Sequence, residues 1–261
     1  MLIVNYAFTR FIMQWSDSSL VISTRKYGEN AAIIGLLSEH HGLCYGLVRG
    51  NNSAKSRGIY QQGNLIFATW KARLAEHLGS ITGELLESSA LIMLGDKGRL
   101  SALASICSLI PHCLPENEPA PLLFSSLYHV IAVLKTDQHW YSDYLKFELT
   151  LLNLLGFGLD LSECAATGST ENLCYISPKT GRAVSAEAGA PYKDKLFLLP
   201  DFLKNAIFTD KIGVISAAEL KQGLRVTGYF LDKWNFHPRN INFPMARIQL
   251  EEQLSGILAH N

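Results

Sequence analysis

The rhythm of hydrophobic and polar positions changes once along the chain, near Ser88. Before that point apolar residues come in short, partly alternating runs at 20–24, 32–37, 43–48, 64–70 and 79–85. They are broken at Tyr27-Gly28-Glu29-Asn30, His41-Gly42, Arg49-Gly50-Asn51-Asn52 and Gln62-Gly63. Short runs bounded by Gly and Asn predict strands, and five of them in succession predict a small closed barrel or sandwich. Period-two alternation alone leaves an OB-fold and an SH3-like barrel both open.

After Ser88 the apolar positions recur at three and four, the spacing of a helix face. Helices are predicted over 97–114, 120–135 and 139–156, with a Pro- and Glu-rich joint at 115–121. In the third, Tyr141, Leu145, Leu149, Leu152 and Leu155 share a face, and Gly156 stands where a C-cap belongs. Residues 162–192 are small, polar and Gly-rich and predict an irregular insert. Helical spacing returns over 198–209 and 216–234, where Ser216 is placed to cap. The pattern divides the chain into a β domain at 13–88 and a helical domain at 89–261 carrying the insert. Residues 1–12 read either as an extension upstream of a start at Met13 or as an extra N-terminal strand or arm.

Composition narrows the class. With 48% hydrophobic and 18% charged residues the chain has ample material for a core, and a net charge of zero advertises no polyanionic partner. Five cysteines at wide spacing, Cys44, Cys107, Cys113, Cys164 and Cys174, fit a reducing cytoplasm better than a disulfide framework. No apolar run approaches the ~20 residues of a membrane-spanning helix, so no membrane role is expected.

Enzymatic signatures are missing. There is no GxxxxGK[ST] loop, GxGxxG fingerprint, GxSxG elbow or HExxH, and Glu84 and Glu148 show no partner for acid–base work. His40 and His41 sit in a Glu-His-His-Gly turn and read as solvated. Cys164 and Cys174 flank a Gly-containing loop, but nine residues separate them, whereas zinc knuckles bring ligands in pairs two to four apart. Buried free thiols are the expectation, with no cofactor.

The positive signal is VRGNNSAKSRG at 48–58, which holds Arg49, Lys55 and Arg57 with no acid among them. Small residues let backbone approach a phosphate, and the cations neutralise it. Arg25, Lys26, Lys71 and Arg73 add to the same domain, giving seven basic against four acidic residues between Met13 and Ser80. Trp15, Tyr27, Tyr45, Tyr60 and Trp70 interleave with them, so base stacking is available wherever one faces outward. The plainer alternative makes the aromatics core and the cations a solvated face. A second run, Lys221, Arg225, Lys233, Arg239 and Arg247, has Asp232 as its only acid, and Lys221 and Arg225 share a helix face.

The run VISTRKYGENAAIIGLLSEHHGLCYGLVRGNNSAKSRG resembles the opening of the RecO family. Arg25, Tyr27, Gly28, Glu29, Gly42, Arg49, Gly50, Lys55, Ser56 and Arg57 stand at matching positions. FELTLLNLLGFGLDLSEC at 147–164 is similar to that family's Phe-Glu-x-x-Leu-Leu-x-x-x-Gly helix leading to a first cysteine, and the region from Arg225 to Arg247 matches more loosely. The resemblance implies an α+β fold: an N-terminal OB-fold β-barrel, then a mainly α-helical C-terminal domain with an irregular, degenerate zinc-finger-like insert. It implies a non-enzymatic recombination mediator in the cytoplasm, associated with the nucleoid. Such a protein binds single- and double-stranded DNA, anneals complementary strands, contacts RecR and the C-terminal tail of single-strand-binding protein, and helps load RecA indirectly. The DNA-binding residues would be Arg25, Lys26, Arg49, Lys55, Arg57, Lys71, Arg73, Lys221, Arg225 and Arg239. Many relatives carry two Cys-x-x-Cys pairs for zinc. Here Cys164 remains as the remnant, Thr167 stands at the second position, and Ser185 and Ala188 stand near the later pair, so the metal is expected to be lost. Two other readings are an OB-fold RNA-binding module and a protein-docking adaptor with incidental DNA contact.

Overall fold

A computed structural model describes residues 13–50, 53–74, 77–93, 97–137, 139–208 and 215–257, with the side chains of 55, 91, 93, 205–208 and 255–257 outside the description. The expectation for residues 1–12, and with it the choice of start, lies outside the described residues. The chain forms two units. One runs to Ser89 and takes in Pro115–Pro121; the other holds Ala90–Leu114 and the chain from Leu122 onward.

The first unit is built from β1 (Met13–Tyr27), β2 (Ala31–Ser38), β3 (Gly42–Arg49), α1 (Ala54–Ile59), β4 (Leu65–Ala72) and β5 (Gly79–Glu87). The order β1-β2-β3-β5-β4, with β4 returning to β1, closes a barrel of OB topology. All five predicted strands are present. β1 is longer than its apolar run because its first half, paired with β4, carries a polar residue on its inner side: Asp17 is buried opposite Ala68. That carboxylate accepts hydrogen bonds from the Ser38 hydroxyl and the His40 N–H (2.8 Å), which anchors the turn between β2 and β3. A bulge between Val21 and Ser23 then re-aims β1 so that its second half pairs with β2.

The barrel is filled by Val21, Ile34, Leu36, Val48, Ile66, Trp70 and Ile81. Its closing seam is the short parallel pair Gly46↔Gly79 and Leu47↔Ser80. Gly79 is dictated by close approach: a Cβ there would lie 2.2 Å from the Trp70 indole nitrogen, which donates to the Tyr45 carbonyl at 2.9 Å. α1, which the sequence showed only as a basic loop, is capped by Ser53 and held at its end by buried Asn64. The Asn64 amide donates to the Gly58 and Ile59 carbonyls (2.7 and 2.9 Å) and accepts from the Ser89 N–H (2.8 Å).

The second unit holds α2 (Ala90–Met93), α3 (Lys97–Cys113), α4 (Pro121–Thr136), α5 (Tyr141–Leu154), β6 (Leu173–Ile176), β7 (Ala183–Ser185), α6 (Ala186–Gly189), β8 (Phe197–Leu198), α7 (Asp201–Phe208), α8 (Ala217–Leu231) and α9 (Met245–Ile257). Ser216 caps α8 in a full capping box with Glu219, and Gly156 follows α5 at positive φ, as predicted. Three readings are corrected. The insert at 162–192, read as irregular, carries β6 and β7, which pair with each other and, through β6, with β8 beyond it, in strands too short to register as alternation. α5 buries Tyr144, Leu145, Phe147, Glu148, Leu151 and Leu152, a face rotated from the predicted one, because Glu148 is turned inward. Its partner is Arg247 of α9, a helix the pattern did not predict, and Arg247 is buried too.

Candidate nucleic-acid interface

Strand register sorts the basic residues of the first unit by face. Reading across β1, β2 and β3, three rows share one face: Tyr27–Ala31–Arg49, Arg25–Ile33–Leu47 and Ser23–Gly35–Tyr45. The intervening rows, such as Lys26–Ala32–Val48, face the interior, where Ala32 and Val48 belong to the core. The nine outer positions hold two cations, two aromatics and no acid. Gly35 leaves room for the neighbouring ring, since a Cβ there would sit 2.5 Å from the Ser23 hydroxyl and 2.8 Å from Tyr45 Cε1. Burial, the Glu116 carboxylate and the Cys44 thiol push the Tyr45 hydroxyl up, and nearby Arg25 opposes them, so the phenol stays neutral. Outward-facing β2–β3 strands are the surface on which OB-folds take oligonucleotides.

The other cations distribute differently. Arg49 also borders a groove along α1 with Ser53 and Ser56. Lys26 and Arg57 line a second cleft, on the other flank of α1, with Gln61 and Gln62. Lys71 lies on the outer side of β4, in register with Gln14 and Ser80, and Arg73 follows in the turn to β5, so neither joins the β1–β3 face. The Lys55 side chain lies outside the described residues. Of the five interleaved aromatics, Tyr60 and Trp70 are core and Trp15 is stacked between His41 (4.4 Å) and Trp70 (5.9 Å). Tyr45 and exposed Tyr27 remain for stacking. His40, read as solvated, is exposed but bonds Asp17 through Nδ1 at 3.1 Å, which raises its pKa.

The second basic run does not form one surface. Lys221 and Arg225 are exposed on α8, but Arg225 shares its cleft with Asp232, Glu251 and Glu252 and lies 5.4 Å over the Phe197 ring. Lys233 donates to the Pro178 and Lys179 carbonyls, and Arg239 to the His112 carbonyl and to Asn235 Oδ1 (3.3 Å). Arg247 is withdrawn entirely. Charge spacing cannot reveal this, because a cation serving a carbonyl and one facing solvent look alike in sequence.

Two family models match the chain in tandem: Recombination protein O N terminal over residues 13–89 and Recombination protein O C terminal over residues 94–236. The chain belongs to the RecO family. It is similar to the DNA repair protein RecO of Rhodospirillum centenum, 43% identical over 92% of this chain and 94% of that protein. The DNA repair proteins RecO of Methylobacterium nodulans and of a Wolbachia strain from Drosophila simulans are each 42% identical over 90% of this chain, and over 95% and 98% of their own lengths. RecO membership places the protein in DNA repair and recombination. Among the described residues no helix is long and apolar enough to cross a membrane.

The zinc implied by the RecO resemblance can be tested against the insert. Cys164 Sγ accepts the Ser185 N–H at 3.3 Å and lies 3.5 Å from the Ser185 hydroxyl, which in turn accepts the Ala188 N–H at 3.4 Å. Burial alone would raise the Cys164 thiol. Hydrogen bonds from the Ser185 and Thr167 side chains and the Ser185 and Ala166 backbone outweigh it and bring the thiol down to about 6. The knuckle therefore closes on one sulfur, two hydroxyls and an alanine. That set does not fit a structural zinc, which takes four Cys or His donors.

Proposed function

We propose that this RecO-family chain is a non-enzymatic mediator that binds DNA through the outer face of β1–β3. Single-stranded DNA lies across that face with phosphates on Arg25 and Arg49 and a base stacked on Tyr45, and double-stranded DNA is held by the same cations through its backbone. The observation that carries this reading is the nine-position face, whose strand residues include two cations, two aromatics and no acid, although the Glu116 carboxylate is close enough to act on Tyr45. No bond has to be made or broken. Neutralised phosphates repel each other less, and complementary strands brought to such a surface pair more readily. On α8, Lys221 is exposed, whereas Arg225 is shared with the acidic cleft of Asp232, Glu251 and Glu252 and adds less to phosphate binding. Partner contacts follow the RecO resemblance: RecR, the acidic tail of single-strand-binding protein, and through them RecA. Five free cysteines suit a reducing cytoplasm, where the chromosome is.

The test is anisotropy of a labelled single-stranded oligonucleotide over a salt series. Binding weakens as salt rises, with a slope near ~0.7 per phosphate contacted, and Arg25→Ala with Arg49→Ala lowers that slope by about 0.7 per cation removed. Preference for RNA with no annealing of DNA would favour the RNA-binding module. Absence of binding at low salt would favour the docking adaptor.

A further inference from the structure

Arg25 and Lys26 are consecutive on β1 and so point to opposite sides of the sheet. Arg25 pairs with Ile33 on the outer face, whereas Lys26 pairs with Ala32, a core residue. Lys26 lies beyond the last core layer and opens into the cleft it shares with Arg57, Gln61 and Gln62, over a floor of Ala32 and Tyr60. The lining includes no carboxylate, and among the described residues neither Lys26 nor Arg57 takes part in an ion pair. Gln62 is partly committed, donating to the Ile22 carbonyl at 2.9 Å. The cleft is thus cationic and amide-lined; it is bordered by Ala31 of the outer face as well as by Ala32, while Arg25 and Tyr45 are not part of its lining.

We propose that this cleft is a second nucleic-acid site, gripping the phosphodiester backbone of one strand while the β1–β3 face holds another. The inference rests on the nucleic-acid reading of the barrel and extends it: one barrel offers two separate cationic surfaces. Arg25 and Lys26 project to opposite sides of β1, so the two cations serve different backbone segments. Strand pairing needs two polyanions close together, and two sites on one small barrel provide that while each strand is already neutralised. The hairpin turn after Tyr27 would be the ridge over which the strands meet.

The experiment uses the full chain and compares Lys26→Gln with Arg57→Gln against Arg25→Gln with Tyr45→Leu. Circular dichroism and the melting temperature verify folding, and Arg57→Gln alone serves if the pair unfolds. For the cleft variant, affinity for the first labelled strand falls by less than in the face variant, strand stoichiometry at saturation falls from about two to about one, and annealing slows about tenfold or more, as loss of a separate phosphate-neutralising site requires. For the face variant, first-strand affinity itself falls. Equal loss of first-strand affinity in both variants would make the two surfaces one site and overturn the proposal, as would unimpaired annealing in the cleft variant. Binding of inorganic phosphate at the cleft of wild-type protein that takes up one strand only would assign it to a free anion and overturn it as well. Failure of the wild-type protein to bind any oligonucleotide would overturn the underlying reading instead, and the wild-type titration shows that separately.

Discussion

Arg247 and Glu148 meet inside the helical unit with 0% of either side chain exposed, joined by two hydrogen bonds from the guanidinium to the two carboxylate oxygens. The pair does not stand alone. Glu148 also accepts from the Tyr144 hydroxyl (2.7 Å) and the Thr227 hydroxyl, and Arg247 donates to the Leu224 carbonyl (2.7 Å) and to Glu251 (3.0 Å). Tyr144 extends the network to Ser105 at 2.7 Å. Side chains from α3, α5, α8 and α9 are thereby tied to one buried polar centre. Desolvation opposes a buried charge, and the dense set of partners is what offsets it here.

Breaking one partner should cost far more than removing both. Arg247→Met leaves the Glu148 carboxylate buried without its counter-ion, which costs about 3–5 kcal/mol and lowers the melting temperature by about 10 °C. Glu148→Met with Arg247→Met should recover most of that loss, because no uncompensated charge remains. Thermal and urea unfolding of the two variants check the order. A double variant as unstable as the single one would mean the pair contributes packing and not charge balance.

The same pair shows why parts of the fold were legible in sequence and others were not. The barrel strands declared themselves because Ile34, Leu36, Val48, Ile66 and Trp70 alternate with outward residues. The first half of β1 did not, since Asp17 sits inside on hydrogen bonds, and α5 was read out of phase because Glu148 faces in. The six-residue α1, dominated by Lys55, Ser56, Arg57 and Gly58, has no apolar stripe and is placed by Asn64 instead. For the candidate site, cation identity was legible but sidedness was not. Arg25 and Lys26 look equivalent until the register against β2 is known, and one step of register exchanges their faces. The reduction of five candidate aromatics to Tyr45 and Tyr27 likewise needed the barrel.

Stacking and charge should separate experimentally on the β1–β3 face. Tyr45→Ala removes a ring and no charge, so it weakens single-strand binding by about 1–3 kcal/mol while leaving the salt slope unchanged. Gly35→Val acts on the same ring indirectly, because its side chain would occupy the space between Ser23 and Tyr45. It should lower affinity in the same way, whereas Arg25→Ala lowers the slope. Oligonucleotide anisotropy at several salt concentrations reads both quantities. A Tyr45→Ala variant with wild-type affinity would leave the face with Tyr27 and phosphate contacts only.

The insert makes a prediction of opposite character, because its knuckle is held by a sulfur that favours the thiolate. Cys164 exposes 1% of its surface, and its thiol is brought from an ordinary value of 9.0 to about 6 by the bonds from Ser185, Thr167 and Ala166. A group whose folded pKa is depressed binds fewer protons folded than unfolded between those two values, so stability rises with pH across that window. The contribution is complete above about 9 and is lost as pH falls through about 6. Cys164→Ala should flatten this part of the stability profile, measured by urea unfolding at a series of pH values, while a zinc chelator leaves the wild-type profile unchanged. Restoring a four-thiol set with Thr167→Cys, Ser185→Cys and Ala188→Cys should make the melting temperature zinc-dependent, since structural zinc binding is folding free energy. Stoichiometric zinc in the purified wild-type protein would refute the hydrogen-bonded knuckle, because a metal on Cys164 would displace the Ser185 and Thr167 contacts from the sulfur.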